Sequence, residues 1–153
     1  MEPDNQIFKH ILPLQIRFND IDMMGHVNNA VIMEFFDYGK MKYFEHLGIN
    51  VEKEDVTIVI VHYEADFRGQ IFLDSSTEVR TKVEKIGQKS LNVLQHIVSD
   101  GQVKAVCKTV MSGYNRKTKT SEFIPEEMKK TILDYENRKN FSTFEKNVVT
   151  LQN

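Results

Sequence analysis

Ten consecutive residues, Asp20 to Asn29, read Asp-Ile-Asp-Met-Met-Gly-His-Val-Asn-Asn and gather two carboxylates, an imidazole, a glycine and two amides directly ahead of an apolar helical pattern. An ionised carboxylate such as Asp22 can attack an acyl carbon or take a proton from an attacking water. Gly25 allows a tight turn, and Asn28 or Asn29 can cap the helix that follows, so that backbone N–H groups point out of its first turn. Such donors suit a developing oxyanion. Base, orienting group and electrophile for acyl chemistry thus lie within one short stretch.

The elements around this stretch must hold it still. Pro13 to Asn19 alternates Leu14, Ile16 and Phe18 with polar residues, which predicts a strand leading into the motif. From Asn28 to Leu47 the apolar spacing becomes three and four, with Gly48 placed to end the helix. Val31, Met33, Tyr38, Met41 and Phe44 widen its apolar stripe, so the helix needs cover on several sides, as when a sheet wraps around it. Four strand-like runs follow, Val56 to Phe67, Ser76 to Ile86, Ser90 to Ser99 and Val103 to Tyr114. Short turn signals, one of them Asp100-Gly101, predict an antiparallel meander for the last three. Asn115 to Ser121 reads as a basic, threonine-rich loop. Pro125-Glu-Glu opens a second helix with Met128, Ile132 and Tyr135 on one face. The pattern alone is compatible with several α+β arrangements.

Arg17-Phe-Asn-Asp-Ile-Asp22 followed by Gly25-His-Val-Asn-Asn29-Ala resembles the signature of hotdog-fold thioesterases, with the 4-hydroxybenzoyl-CoA thioesterase-like acyl-CoA thioesterases as the most similar type. The resemblance covers Pro13 to about Tyr135. It implies a single α+β hotdog domain, taken as 1–139, with a curled antiparallel sheet around a long central helix; 140–153 has no clear period and reads as a C-terminal tail. It also implies hydrolysis of an acyl-CoA or acyl-carrier-protein thioester at a site shared within a homodimer or homotetramer. Asp22 matches the catalytic aspartate of the family. Asn29 matches the position whose backbone amide polarises the thioester carbonyl, a role that needs the N–H and not the side chain. Gly25 and Asn28 are expected to border the substrate.

His26 matches a histidine of the acyl-carrier-protein and long-chain acyl-CoA enzymes. Met24 departs from the asparagine of the plant enzymes, and the hydroxybenzoyl-CoA type has an aliphatic residue where His26 stands. Two readings of His26 stay open, assistance to Asp22 and packing or hydrogen bonding at the turn. Asp20, two residues before Asp22, reads as structural, joined to Arg17 or to backbone amides. Glu64 and Asp66 fall in a region where acyl-carrier-protein thioesterases carry an acid, and they are left outside the catalytic set. The Phe and Met residues of the long helix read as core. The alternative function is a non-catalytic module that binds an acyl-thioester or acyl-carrier protein. A hotdog dehydratase is a weaker reading, because the turn resembles the thioesterase motif.

Composition bounds the remaining possibilities. With 153 residues, 41% hydrophobic and 27% charged, the chain suits one core, and a formal charge of -2 gives no footprint for nucleic acid. Met1 to Gln6 is polar and leads into a short run broken by Lys9, His10 and Pro13, so neither signal peptide nor membrane span is expected and a cytoplasmic location is. Cys107, the single cysteine, lies in a strand pattern and reads as a structural thiol. Two Asp and one His in one turn lack the further ligands of a metal site, so neither metal nor cofactor is expected. Arg116, Lys117 and Lys119 read as a solvated turn ahead of a contact for the phosphates of coenzyme A.

Overall fold

The computed structural model describes residues 7–137. Its order is β1 (His10–Leu14), α1 (Asn29–His46), β2 (Val56–Phe67), β3 (Thr77–Ile86), β4 (Ser90–Ser99), β5 (Gln102–Asn115), β6 (Thr120–Ser121) and α2 (Glu126–Glu136). The six strands form one antiparallel sheet in the order β1-β3-β4-β5-β2, with the short β6 also paired to β5. This is the hotdog arrangement, a curled sheet around a long helix. The predicted tail, 140–153, lies outside the described residues. No helix among them is long and apolar enough to cross a membrane.

Helix α1 starts where the sequence predicts. Asn28 has extended backbone angles, and its side chain accepts the Ala30 N–H at 2.8 Å. An Asn cap of this kind contributes about 1 kcal/mol. The helix ends at Gly48, whose φ of +73° is the left-handed conformation that glycine adopts without a Cβ clash. The β4–β5 hairpin turns through Asp100 (φ 50°) and Gly101 (φ 78°), both left-handed as a two-residue turn of this type requires.

The first strand is shorter and earlier than the alternation suggests. Pairing with β3 stops at Leu14, and Phe18–Asp20 forms a 3-10 turn instead of continuing the strand. Asp20 causes the bend. Its carboxylate accepts the Arg17 N–H at 2.8 Å, while its own N–H donates to the Arg17 carbonyl at 2.9 Å. That local bonding offers the backbone an alternative to the ladder. The loop predicted over 115–121 also closes further than expected, since Thr120 and Ser121 return to pair with β5 as β6.

The core between helix and sheet has two apolar halves. One half, toward the start of α1, contains Val27, Ile32, Phe36, Val79, Ile97, Ala105 and Cys107. The other, toward its end, contains Tyr43, Phe44, Val83, Leu91, Val93 and Met111, closed by Ile124, Met128 and Ile132 from α2 and the segment before it. A buried polar belt separates them. Gln95 donates from Nε2 to the Phe36 carbonyl at 2.9 Å and to Thr81 Oγ1 at 3.0 Å, and its Oε1 accepts from Lys40 Nζ at 3.2 Å. Gly39 lets α1 sit close to this belt, because a Cβ there would lie 2.9 Å from Gln95 Nε2 and from both Val79 methyls.

Helix α2 is fastened at its last turn. Glu136, 2% exposed, accepts the Tyr43 hydroxyl at 2.5 Å and the Val83 N–H at 3.2 Å. Lys9 Nζ donates to the carbonyls of Tyr135 (3.0 Å) and Glu136 (2.7 Å), the end of the helix that favours a cation.

Candidate active site

Asp20 to Asn28 folds into a small hairpin. Ile21 and Val27 form an antiparallel bridge, Asp22 N–H donates to the His26 carbonyl at 3.1 Å, and Gly25 N–H returns to the Asp22 carbonyl at 3.0 Å. Gly25 has φ 85°, a conformation that residues with a Cβ rarely hold, so glycine is required at the tip. Two further bonds pin the hairpin to the body. Val27 N–H donates to the Ile71 carbonyl at 2.8 Å, and Asn28 N–H donates to the Asp20 carbonyl at 2.9 Å. Asp20 is buried and held 3.6 Å from the Arg17 guanidinium, which agrees with its structural reading.

Asp22 is half-buried, and one carboxylate oxygen accepts the Met24 N–H at 2.8 Å. The second oxygen has no hydrogen-bond partner among the described residues. The aspartate therefore braces the turn and presents a free acceptor at once. Met23, Met24 and Phe18 are exposed beside it, an apolar rim on an otherwise polar turn. His26 Nδ1 lies 3.3 Å from the Val27 carbonyl, a long contact in the tautomer that carries the proton there. The ring meets that carbonyl and not the Asp22 carboxylate, and Nε2 has no hydrogen-bond partner among the described residues.

Helix α1 starts directly after the hairpin. Asn28 satisfies the Ala30 amide, and its carbonyl accepts the Ile32 N–H at 3.1 Å. The amides of Asn29 and Val31 have no acceptor among the described residues. Unpaired first-turn amides carry the positive end of the helix dipole, so they attract an oxygen that is gaining negative charge. The five residues singled out in sequence, Asp22, Gly25, His26, Asn28 and Asn29, are thus brought together on one hairpin and one helix start.

The model of the thioesterase-like superfamily matches residues 16–132, which takes in this hairpin, α1, all of β2 to β6 and most of α2. The chain belongs to that superfamily. A predicted thioesterase from Bacillus stearothermophilus has a similar structure, 25% identical with a TM-score of 0.72 over 80% of this chain and 92% of the other. A thioesterase from Thermus thermophilus, solved with coenzyme A and zinc, aligns with a TM-score of 0.74 at 24% identity over 82% and 98% of the two chains. The protein YsmA of Bacillus subtilis is 24% identical over 86 residues, 56% of this chain and 58% of that one. Among the described residues, no three His, Cys, Asp or Glu side chains cluster as metal ligands would.

Other residues near the site have no clear sequence signal. Glu64 and Asp66 alternate with Tyr63, Ala65 and Phe67 on β2, and a bulge at Val61 decides which set faces the helix. The pairing runs Ile60 with Met111 and then His62 with Val110, so the inward set passes from Ile58 and Ile60 to Tyr63, Ala65 and Phe67. Glu64 and Asp66 turn to the other face. Lys40, Asp37 and Tyr63 form a polar cluster that the apolar reading of α1 passes over. Its available trace was a lysine four residues after Phe36, within the apolar stripe. The cationic turn lies at the opposite end of α1 from Asp22, where Lys117 pairs with Asp55 at 2.9 Å and Arg116 donates to the Val51 carbonyl.

Proposed function

We propose that the chain hydrolyses acyl-CoA thioesters, with Asp22 as general base or nucleophile and the Asn29 amide polarising the carbonyl. Membership of the thioesterase-like superfamily supports an enzyme of the thioesterase type. The observation that carries the finer reading is the unpaired Asn29 N–H standing at the mouth of a hairpin that presents a free Asp22 oxygen. The coenzyme A bound to the Thermus thermophilus relative supports coenzyme A as the carrier.

The carbonyl oxygen accepts the Asn29 N–H, and the charge that builds on it during attack is met by the helix dipole. As general base, Asp22 takes a proton from water while the water oxygen bonds to the acyl carbon. The C–S bond then breaks, and the coenzyme A thiolate leaves and is protonated. As nucleophile, Asp22 itself bonds to the acyl carbon, the C–S bond breaks and the coenzyme A thiolate leaves, and water then cleaves the resulting anhydride to the free acid and the Asp22 carboxylate. Gly25 and Asn28 border the thioester, and Nε2 of His26 can bind substrate or assist proton movement.

The hairpin is bonded to Ile71, just past the end of β2, the terminal strand of the sheet. β2 is long and terminal, with Val61, Tyr63 and Phe67 exposed. Such an edge invites pairing with a second copy. We place the active form as a homodimer, or a tetramer of such pairs, in which the second chain walls the site. Release of free thiol from a panel of acyl-CoAs tests the activity. Asp22→Asn retains an oxygen for the Met24 amide and is expected to lower turnover at least a hundredfold, since proton transfer contributes roughly 10²–10⁴. Near-normal turnover in that variant removes Asp22 from the chemistry. Tight thioester binding with no thiol release by the wild-type protein would favour the non-catalytic module.

A further inference from the structure

A strip between α1 and β2 leads away from the Asn29 amide. Phe67, Ala65 and Tyr63 follow one another on the strand, and Tyr63 meets Asp37, eight residues below Asn29 on the helix. Its upper part is apolar. Met33 and Ala65 pack at the margin of the first core half, beside the buried Cys107 that pairs with Ala65 across the sheet.

Two turns down, the chemistry changes. The Tyr63 hydroxyl donates to the Asp37 carboxylate, bridging strand and helix. Lys40 lies beneath the bridge with its side chain 4% exposed, 3.2 Å from Asp37, 3.2 Å from Gln95 Oε1 and 4.6 Å from the Tyr63 ring centre. These groups are the outer end of the polar belt that divides the core. Burial pushes the Lys40 ammonium below its ordinary range, and Asp37 opposes that shift. An alkyl tail that displaced Tyr63 would cost the bridge its hydrogen bond and put hydrocarbon against the Asp37–Lys40 pair.

We propose that Tyr63, Asp37 and Lys40 form the end wall of the acyl-binding strip and restrict the enzyme to short and medium acyl groups. The inference rests on the hydrolase reading above and adds a substrate class to it. Asn29 and Asp37 are eight residues apart on α1, so the wall stands ~12 Å along the axis from the oxyanion donor. The Asn29 N–H points out of the helix, away from Asp37, so the ~3 Å hydrogen bond to the carbonyl oxygen adds to this distance and leaves room for about twelve carbons at ~1.2 Å per bond of extended chain.

The test uses the full chain, as wild type and Tyr63→Ala, with straight-chain acyl-CoAs from acetyl to palmitoyl. Binding of the matching non-hydrolysable S-alkyl-CoA thioethers is measured in parallel. Wild-type kcat/KM is expected to fall at least ~10-fold between dodecanoyl and palmitoyl substrates, and thioether affinity to fall across the same interval. Tyr63→Ala should move both cut-offs to longer chains, while Tyr63→Phe, which keeps the ring, moves them less. A flat wild-type profile to palmitoyl, or a cut-off unmoved in Tyr63→Ala, overturns the wall. Absence of hydrolysis at every length refutes the hydrolase reading instead, and the thioether series then still decides the wall. Should Tyr63→Ala fail to fold, Tyr63→Leu removes the bridge with an apolar side chain that suits the strand, and the same two outcomes apply.

Discussion

Replacing Asn29 by proline separates the amide's chemistry from its structural role. Asn29 is the first residue of α1, the helical position where proline is best tolerated. Its N–H has no acceptor among the described residues, so removing it breaks no bond there. Asn28 already holds φ -61° and ψ 139°, the extended region that a residue before proline prefers. Its cap on Ala30 is untouched. Stability should therefore stay level or rise by about 0.4–1 kcal/mol through the less flexible unfolded chain. Turnover should fall roughly 10²–10³-fold, equivalent to about 2.7–4 kcal/mol of lost oxyanion stabilisation. Asn29→Ala keeps the N–H and should leave turnover within a few-fold of wild type. Circular dichroism melts and thiol-release kinetics on both variants supply the comparison. Equal turnover in the folded pair would refute the assignment and shift the electrophile to the Val31 amide or His26.

Two further substitutions probe the frame that holds the site. Gly39→Ala forces a Cβ to within 2.9 Å of Gln95 and Val79 and should cost about 1–3 kcal/mol, read by denaturant unfolding; a neutral result would mean that α1 has room to move off the sheet. Burial raises the Glu136 carboxyl above its ordinary value, outweighing the bonds from Tyr43 and Val83 and the charges of Lys9 and Lys82. The folded chain then binds more protons than the unfolded one between the ordinary and raised values. The stability that Glu136 contributes is full below the ordinary carboxylate range and is lost as pH rises through that range to the raised value. Glu136→Gln should flatten this fall in pH-dependent melts, and an unchanged slope would show that Glu136 does not titrate in that window.

The parts of the fold governed by local rules were legible in the residues. The start of α1 at Asn28 and Asn29, its end at Gly48 and the Asp100-Gly101 turn each follow from one residue's backbone preference. So did the clustering of Asp22, His26 and Asn29, because they are adjacent in sequence. The strand predicted over Pro13 to Asn19 failed where a side chain intervened, since Asp20 bonds back to Arg17 and exchanges the ladder for a turn. The facing of β2 was hidden by the bulge at Val61, because one extra residue reverses every later side chain. The polar belt was hidden for another reason. Lys40, Gln95 and Thr81 come from three elements, and only their meeting shows why a lysine belongs inside an apolar stripe.

The two borders of the sheet differ in what they offer a neighbour. β1 is five residues long and contains Pro13, which has no N–H to give and is confined to such margins. β2 is twelve residues long with its outer row of backbone groups unclaimed among the described residues. In terms of valence, the chain has one bonding edge rather than two. When two copies join through β2, each spends its single valence on the other, and both outer margins of the enlarged sheet are β1 strands. Continuous sheet growth therefore stops at a pair, and any larger assembly must use helices or sheet faces as its contacts.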